Sequence, residues 1–361
     1  MRILSKITAI CLLGAAGCIC ASAQQTRLLS ADKNTDYGIA YALPQTALRI
    51  NVEATLVKSV PGPYRQYASR YLGQTDIISA PSLTAEIDAV EVTTYGVPGG
   101  RKYVMQLKPG ALTQVCVDAD GMLLAINKEA EAPKPEAAPV AVNSREPDMD
   151  EYLQYVDADF LSSQSSARRA EMLAQTIMEI RESRLSLSRG TAETMPADGR
   201  QLELMLQSLQ QQEEAMVRAF TGYTYTGNAA ASYSLVPDSI SQPSRTVVCR
   251  LSPAAGLQDA DSYAGEPLYL SIGQPEEPEW PLNVKGEPKE LPRDGVMYNM
   301  PAPAKVEIVW RGKKMYESEL SFGQFGKPFA LDPKLFTDKK APSAATFDPV
   351  TGALLEIETI K

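Results

Sequence analysis

Histidine is missing from this 361-residue chain. That absence excludes Ser-His-Asp and Cys-His catalysis, imidazole acid–base work and histidine metal sites together. Any enzyme built from these residues would run on carboxylates, Lys, Tyr or a Ser-Lys pair. Cysteine is nearly as uninformative. Of five, Cys11, Cys18 and Cys20 sit in the N-terminal segment, leaving Cys116 and Cys249. Neither belongs to a Cys-x-x-Cys or metal-spaced set, so neither points to redox or zinc chemistry. The pair reads either as one disulfide or as two buried thiols. Positive charge is in deficit: the net charge of −9 argues against nucleic acid and against an electrostatic grip on anionic lipid. Long apolar runs are absent after residue 23, each later one being broken by charge or proline within a strand's length. The mature chain therefore carries no integral membrane segment.

What is present begins with an address. Arg2 and Lys6 form a short positive stretch, Ile7 to Cys20 is apolar but too short to span a bilayer, and Ala21-Ser22-Ala23 places small residues before Gln24. This pattern predicts a signal peptide over residues 1–23. The expected product is an exported protein of the periplasm or cell envelope, soluble after cleavage before Gln24. The alternative is a lipoprotein anchored through Cys18, since Ala16-Gly17-Cys18 resembles the end of a lipobox. Ala15 at the −3 position and the continuing apolar Ile19-Cys20 stand against it.

Residues 24–128 read as an N-terminal β-unit. Leu48-Arg49-Ile50-Asn51-Val52-Glu53 alternates as a half-buried strand does. Tyr64 to Leu72 fits a short helix stopped by Gly73. Ile87–Tyr95, Lys102–Leu107 and Leu112–Asn127 supply further strands, with Val97-Pro98-Gly99-Gly100 and Asp118-Ala119-Asp120-Gly121 as turns. Residues 129–147, rich in Pro, Ala and Glu, form a linker or extended strap.

Residues 148–222 predict an αα-hairpin. Ala170, Leu173, Ile177 and Ile180 recur at helical spacing, as do Leu202, Met205, Leu209 and Met216. Asp198 is the N-cap of the second helix, with Gln201 three residues on. A single apolar stripe needs a surface to cover, so the hairpin is expected to pack on a β-unit through Leu173, Ile177, Leu202 and Leu209.

Residues 223–361 return to β-structure: Thr246–Leu251, Pro267–Ile272, and a hairpin of Lys305–Trp310 and Met315–Leu320 turning at Arg311-Gly312-Lys313. A proline-laden interruption, Pro275 to Pro303, carries Trp280. The ending echoes the first unit. Aligning Gly121 with Gly352 sets Met122-Leu123-Leu124-Ala125-Ile126 against Ala353-Leu354-Leu355-Glu356-Ile357, a short hint of duplication. The expected fold is mainly β with α (α+β): two antiparallel β-units, sandwich-like, joined by the αα-hairpin.

Few constellations carry chemistry. Asp118 and Asp120 open like a calcium loop, but Leu123 and Leu124 stand where oxygen ligands belong, so a plain Asp-Gly turn is expected. Asp259 and Asp261 read as a polar loop. Gly326-Lys327-Pro328 lacks the glycine spacing and hydroxyl of a phosphate loop. Arg181, Glu182 and Arg184 read as ion pairs or a solvated face. Trp280 reads as an aromatic pinning a long loop to the core, the alternative being a ring that stacks on a sugar or peptide. No residue is assigned a catalytic, cofactor or metal role, no cofactor is expected, and binding residues stay unassigned.

One set of segments consists of Tyr41-Ala42-Leu43-Pro44, Gly62-Pro63-Tyr64 with Tyr67-Ala68 and Tyr71-Leu72-Gly73, Ile180-Arg181-Glu182-Ser183-Arg184, Met195-Pro196-Ala197-Asp198-Gly199 and Phe220-Thr221-Gly222. A second consists of Gln324-Phe325-Gly326, Pro333-Lys334-Leu335-Phe336 and Phe347-Asp348-Pro349-Val350-Thr351-Gly352. Together these resemble the exported Bacteroidetes proteins grouped as domain of unknown function 4831. The resemblance implies a Gram-negative envelope protein and supplies no activity, ligand or catalytic residue. The expected function is a non-catalytic binding or scaffolding module whose partner is an unidentified envelope protein, glycan or peptide. The alternative is a carboxylate-dependent hydrolase of envelope or dietary polysaccharide, marked by a cleft with two carboxylates about 5 to 9 Å apart.

Overall fold

A computed structural model describes residues 19–20, 23–28, 38–107, 114–134, 137–143, 145–196, 198–238, 245–292, 294–338 and 340–360. In chain order the described strands and α-helices are β1 (Ile19–Cys20), β2 (Ala23–Leu28), β3 (Gly38–Val60), α1 (Ala68–Leu72), β4 (Ser82–Leu107), β5 (Gln114–Val117), β6 (Leu123–Ile126), α2 (Ala158–Ser162), α3 (Ser166–Arg189), α4 (Gly199–Thr221), β7 (Tyr223–Leu235), β8 (Thr246–Ser252), β9 (Gly256–Asp259), β10 (Glu266–Ile272), β11 (Val296–Trp310), β12 (Lys313–Leu331), α5 (Lys334–Thr337), β13 (Ser343–Phe347) and β14 (Leu354–Thr359). The chain is mainly β with α. Residues 1–18 and 21–22, most of the expected signal peptide, lie outside the described residues, as does Leu112.

The strands form three antiparallel sheets, ordered β2-β4-β3-β7, β12-β11-β10-β8-β9 and β1-β5-β6-β13-β14. The first two face each other as a sandwich. Alternation decides the facing sides: Leu48, Ile50, Val52 and Ala54 of β3 meet Leu268 and Leu270 of β10 and Val306, Ile308 and Trp310 of β11 in one buried cluster. Burying a side chain of this size contributes roughly 1.5–3 kcal/mol. The other ends of the same long strands enter a second cluster. There Tyr41, Tyr103, Val296, Tyr298 and Phe329 pack on Val115, Leu123, Ile126, Ala345 and Phe347 of the third sheet, with Phe336 of α5.

Four strands thus pass through both cores, and each bends between them. Pro44 stands opposite Pro98, and the pairing register slips at Ala42/Pro44 and at Met300/Ala302, beside Pro301. A proline nitrogen cannot donate to the ladder, so the sheet breaks register and turns there. This corrects two expectations. Val97-Pro98-Gly99-Gly100 is no turn but the bend inside the single strand β4, and the proline-laden interruption ends where β11 starts at Val296. The short helix after Tyr64, the hairpin turn at Arg311-Gly312 and the Asp118–Gly121 turn all stand as expected.

The segments before and after the helical hairpin share sheets. β7 pairs with β3 along thirteen positions from Leu48 to Val60, and β13 pairs with β6 through Ala345–Ile126 and Thr346–Ala125.

The terminal echo extends into a repeat. Tyr41 stands opposite Tyr103 and Ile39 opposite Met105 in β3–β4; Tyr298 stands opposite Phe329 and Val296 opposite Leu331 in β11–β12. Ala42 N donates to Gly121 O at 2.8 Å, and Asn299 N donates to Gly352 O at 2.9 Å, so each long hairpin holds its own short one in the same way. The short hairpins match in register: Cys116–Ala125 and Val117–Leu123 correspond to Thr346–Glu356 and Phe347–Leu354, each with its register shift at the same step. Asp118 and Asp348 open the two turns by accepting from backbone N–H groups two residues on, at 3.0 and 3.1 Å. Strands β3–β6 and β11–β14 thus repeat one pairing pattern, and the third sheet lines up their short hairpins edge to edge.

Candidate functional site

Three concave places merit comparison: the waist where the repeats meet, the space under the strap, and the helical arm. At the waist, Thr46 is fully buried and exchanges two hydrogen bonds with the Gln324 side chain, N to Oε1 at 2.8 Å and Nε2 to the Thr46 carbonyl at 2.9 Å. Asn299 Nδ2 donates to the carbonyls of Pro44 at 3.0 Å and Thr351 at 2.8 Å. A cavity of about 210 Å³ opens here, lined by Gln45, Arg101 and Tyr103 among glycines. Those glycines serve the packing: a Cβ on Gly99 would meet the Leu43 carbonyl, and one on Gly326 the Met300 carbonyl, each just before a bend proline. The waist is a joint.

The strap leaves the third sheet after Lys128, which bridges Glu356 and Glu358 at 3.1 and 2.9 Å. Cys116 Sγ donates to Ala130 O at 3.1 Å. Further on, the Asn143 side-chain amide exchanges hydrogen bonds with the backbone N–H and C=O of Asn228, as a strand neighbour would, so it covers part of the edge of β7. Glu146 then pairs with Lys58 at 2.8 Å and accepts from the Tyr223 hydroxyl at 2.7 Å. Burial, then the Glu146 carboxylate, push the Tyr223 hydroxyl up to about 12. The Lys58 ammonium and that hydroxyl hold Glu146 below the usual carboxylate range. Beneath the strap lies a cavity of about 380 Å³, lined by Arg49, Thr93, Tyr95, Asp118, Asp120, Lys134 and both repeat turns. The Arg49 guanidinium lies 5.0 Å from the centre of the Tyr95 ring. Asp118 Oδ1 is taken by the N–H groups of Asp120 and Met122, at 3.0 and 2.8 Å.

The arm is α3 and α4. Ser165 and Asp198 cap their starts, Asp198 Oδ1 accepting from Gln201 N at 2.7 Å, and Gly190 ends α3 in the left-handed region. Its base is packed: Leu173, Ile177, Ala215, Met216, Ala219 and Phe220 surround Tyr64, Tyr152 and Phe160. The Tyr64 ring stands edge-on to Phe160 at 6.3 Å, and Tyr64 N donates to Ala219 O at 2.9 Å. The hairpin thus seats on the N-terminal unit as expected, but on its helical insert. Among the described residues, the buried partners are the helical insert between β3 and β4 and the 152–160 segment, with no strand among them. Leu173 and Ile177 face inward as expected, whereas Leu202 and Leu209 are only half-buried.

Beyond the base, α4 buries no side chain from Gly199 to Glu214. Leu204 is 54% exposed and Leu185, on α3, 48%. Leu187, near the far end of α3, is buried, and charge clamps the two helices together. Arg181 Nε meets Glu213 Oε1 at 2.7 Å, and Arg184 takes the other carboxylate oxygen. Burial draws the Glu213 carboxyl upward, and the two guanidinium hydrogen bonds overcome it, so the group stays below its ordinary range. Glu182 faces solvent. Open grooves of about 480 and 600 Å³ flank the clamp, the second lined by Ser188, Leu202, Glu203, Leu206 and Gln210. The Glu213 partnership was not legible in the sequence: folding the hairpin evenly about residues 190–198 sets Arg181 across from about residue 207, and only the stagger of the two packed helices brings Glu213 to Arg181 and Arg184.

The remaining candidates take structural places. Trp280 Nε1 donates to Lys289 O at 2.9 Å and its ring stands edge-on to Phe329, pinning the loop. Lys327 pairs with Glu277 at 2.8 Å. Asp259 O accepts from Ser262 N in a turn that also contains Asp261. Cys116 and Cys249 are free thiols buried in different clusters, which removes the disulfide alternative. Burial pushes the Cys249 thiol up to about 12. Among the described residues, no group of three or more Cys, Asp or Glu side chains is placed to hold a metal, and no helix is long and apolar enough to cross a membrane.

No curated protein and no solved structure matches the chain. The family described as a Domain of unknown function (DUF4831) does, over residues 37–355, a span that takes in both repeats and the arm between them. The chain belongs to that family.

Proposed function

We propose that this protein is an exported, non-catalytic binding and scaffolding module of the cell envelope, released by cleavage before Gln24, and that its arm engages a protein partner. The observation that carries this reading is the arm: two helices of 24 and 23 residues with an aromatic core at the base, joined further out by the Glu213 clamp, where α4 buries no side chain from Gly199 to Glu214. Helices that exist to fill a core bury an apolar stripe along their length. Here the distal part of the α4 stripe is only partly covered, Leu202 and Leu209 being half-buried and Met205 exposed, and an open groove runs beside it, as on a recognition surface.

The chemistry supports binding over hydrolysis. Among the described residues, the carboxylates with displaced acidities, Glu146, Glu213, Glu277 and Glu317, are all held low by Lys or Arg partners. A glycosidase needs one carboxyl held high as the proton donor.

The test is a photo-crosslinking residue at Leu206 in the full chain, expressed in the native host, with Thr93 under the strap as the comparison position. The expected result is one discrete protein adduct at position 206 and none at position 93, in an envelope fraction whose intact mass begins at Gln24. Failure to form an adduct at position 206 would remove the arm as the binding surface. A diacylated Cys18 would replace the soluble form with the anchored one.

A further inference from the structure

We infer that β14 is an addition site for an extended partner strand, one that runs antiparallel to it, places Lys or Arg opposite Glu356 and Glu358, and sets a small or β-branched apolar residue opposite Ile357. This surface is distinct from the arm and rests on a different observation, the repeat.

Among the described residues, the third sheet ends at β14 and no strand pairs with its outer edge: every residue from Leu355 to Thr359 is exposed, Leu355 at 65% and Ile357 at 43%. Its free backbone groups can be located. Ile360 N donates to Pro342 O at 2.7 Å, so Glu358 and Glu356, in phase with it, turn their N–H and C=O groups toward β13. Ile357 and Thr359 turn theirs outward. Two other edges are blunted, β7 by the Asn143 amide and β12 by the Lys314 pairs with Glu307 and Glu317.

The repeat supplies the template for what is missing. β14 corresponds to β6, and the outer edge of β6 is filled by β13, with Ala345 opposite Ile126 and Thr346 opposite Ala125. Ile357 stands where Ile126 does, so a small residue suits the place beside it. Glu356 stands where Ala125 does. That replacement turns a neutral contact into an acidic one and calls for a cation on the incoming strand. Lys128 lies between Glu356 and Glu358 and neutralises one of the two charges.

The same charges disfavour a second copy of this chain. Antiparallel self-pairing of β14 about Glu356, Ile357 or Glu358 sets glutamate against glutamate, and like charges directly opposite destabilise a sheet. The occupant is therefore a different chain, with alternating basic and apolar residues, added by backbone pairing.

The probe is a labelled, end-blocked heptapeptide, Ser-Val-Lys-Val-Lys-Val-Ser, titrated by fluorescence anisotropy into the full chain, with Glu for Lys as its control. The Lys peptide is expected to bind at least about tenfold more tightly than the Glu peptide, with the preference weakened by salt. Ile357→Pro removes an outward N–H without breaking the β13 ladder, so it should abolish binding and leave the melting temperature in place. Glu356→Lys with Glu358→Lys should reverse the preference. Amide exchange at Ile357 and Thr359 in the unaltered chain is a reading independent of any variant, and the Lys peptide should slow it. Equal binding of the two peptides, unchanged exchange at those amides, or a dimer by light scattering that Ile357→Pro dissolves would each overturn the inference.

Discussion

The Asn299 side chain donates to the Pro44 carbonyl at 3.0 Å, joining the bends of two repeats that lie 255 residues apart in the chain. Its other donor bond, to Thr351 O at 2.8 Å, reaches the turn of the second short hairpin, so one amide ties three segments. Asn299→Ala leaves two buried carbonyls without that donor and should cost about 2–3 kcal/mol. Asn299→Asp should cost more, because a carboxylate there faces carbonyl oxygens. Urea denaturation of both variants checks the order, and a neutral Asn299→Ala would remove the joint.

Glycines at the bends separate space from flexibility. Gly326→Ala drives a methyl into the Met300 carbonyl and should destabilise by about 1–3 kcal/mol. Gly100→Ala, with open space around its Cβ, should be near neutral. Thermal melts of the two distinguish a packed waist from a merely bent one.

For the arm, depth along the helices sets the cost. Ile177→Ala at the base should cost about 2–5 kcal/mol. Leu209→Ala, half-buried, should cost about 1 kcal/mol, and Leu204→Ala should be near neutral. A gradient of this kind in chemical denaturation identifies the distal stripe as surface; equal large losses would mean that it is core.

The Glu213 clamp predicts an acid dependence with a definite sign. Its pKa is lower in the folded chain than in the unfolded one, so its contribution is complete above the unfolded value and is lost as pH falls through the folded value. Glu213→Gln should remove that part of the acid limb, an effect of at most about 1 kcal/mol given the half-exposed arginines. Tyr223 runs the other way. Raised to about 12, it stabilises fully below the unfolded value near 10 and loses its contribution as pH climbs through 12. Comparing Tyr223→Phe with the unaltered chain across pH 9 to 12 isolates it.

Cys116 and Cys249 should resist a thiol reagent at pH 8 in the folded chain and react once denaturant is added. Cys116→Ala also removes the bond to Ala130 O, so limited proteolysis within residues 131–143 should quicken. Unchanged cleavage would show that the strap is held by its far anchors, Asn143 and Glu146, alone.

Much of this was legible in the residues, because local patterns report local forces. The alternation at Leu48–Glu53, the 3.6-residue stripe from Ala170 to Ile180, the Asp198 cap and the Asp-Gly turns each follow from neighbours a few positions apart, and all stand in the fold. Even the repeat left a trace in Gly121 and Gly352. The strength of pairing partners far along the chain decided the rest. Pro98 looked like a turn because its nitrogen breaks a ladder, and only the opposing Pro44 and the two cores on either side make it a bend within one strand. Leu202 and Leu209 were expected to be core because a periodic stripe records amphipathicity and is silent on whether anything covers it. Which edges stay open, at β14 and along α4, depends on where every other strand and helix ends. That is a property of the whole packed chain and of no window within it.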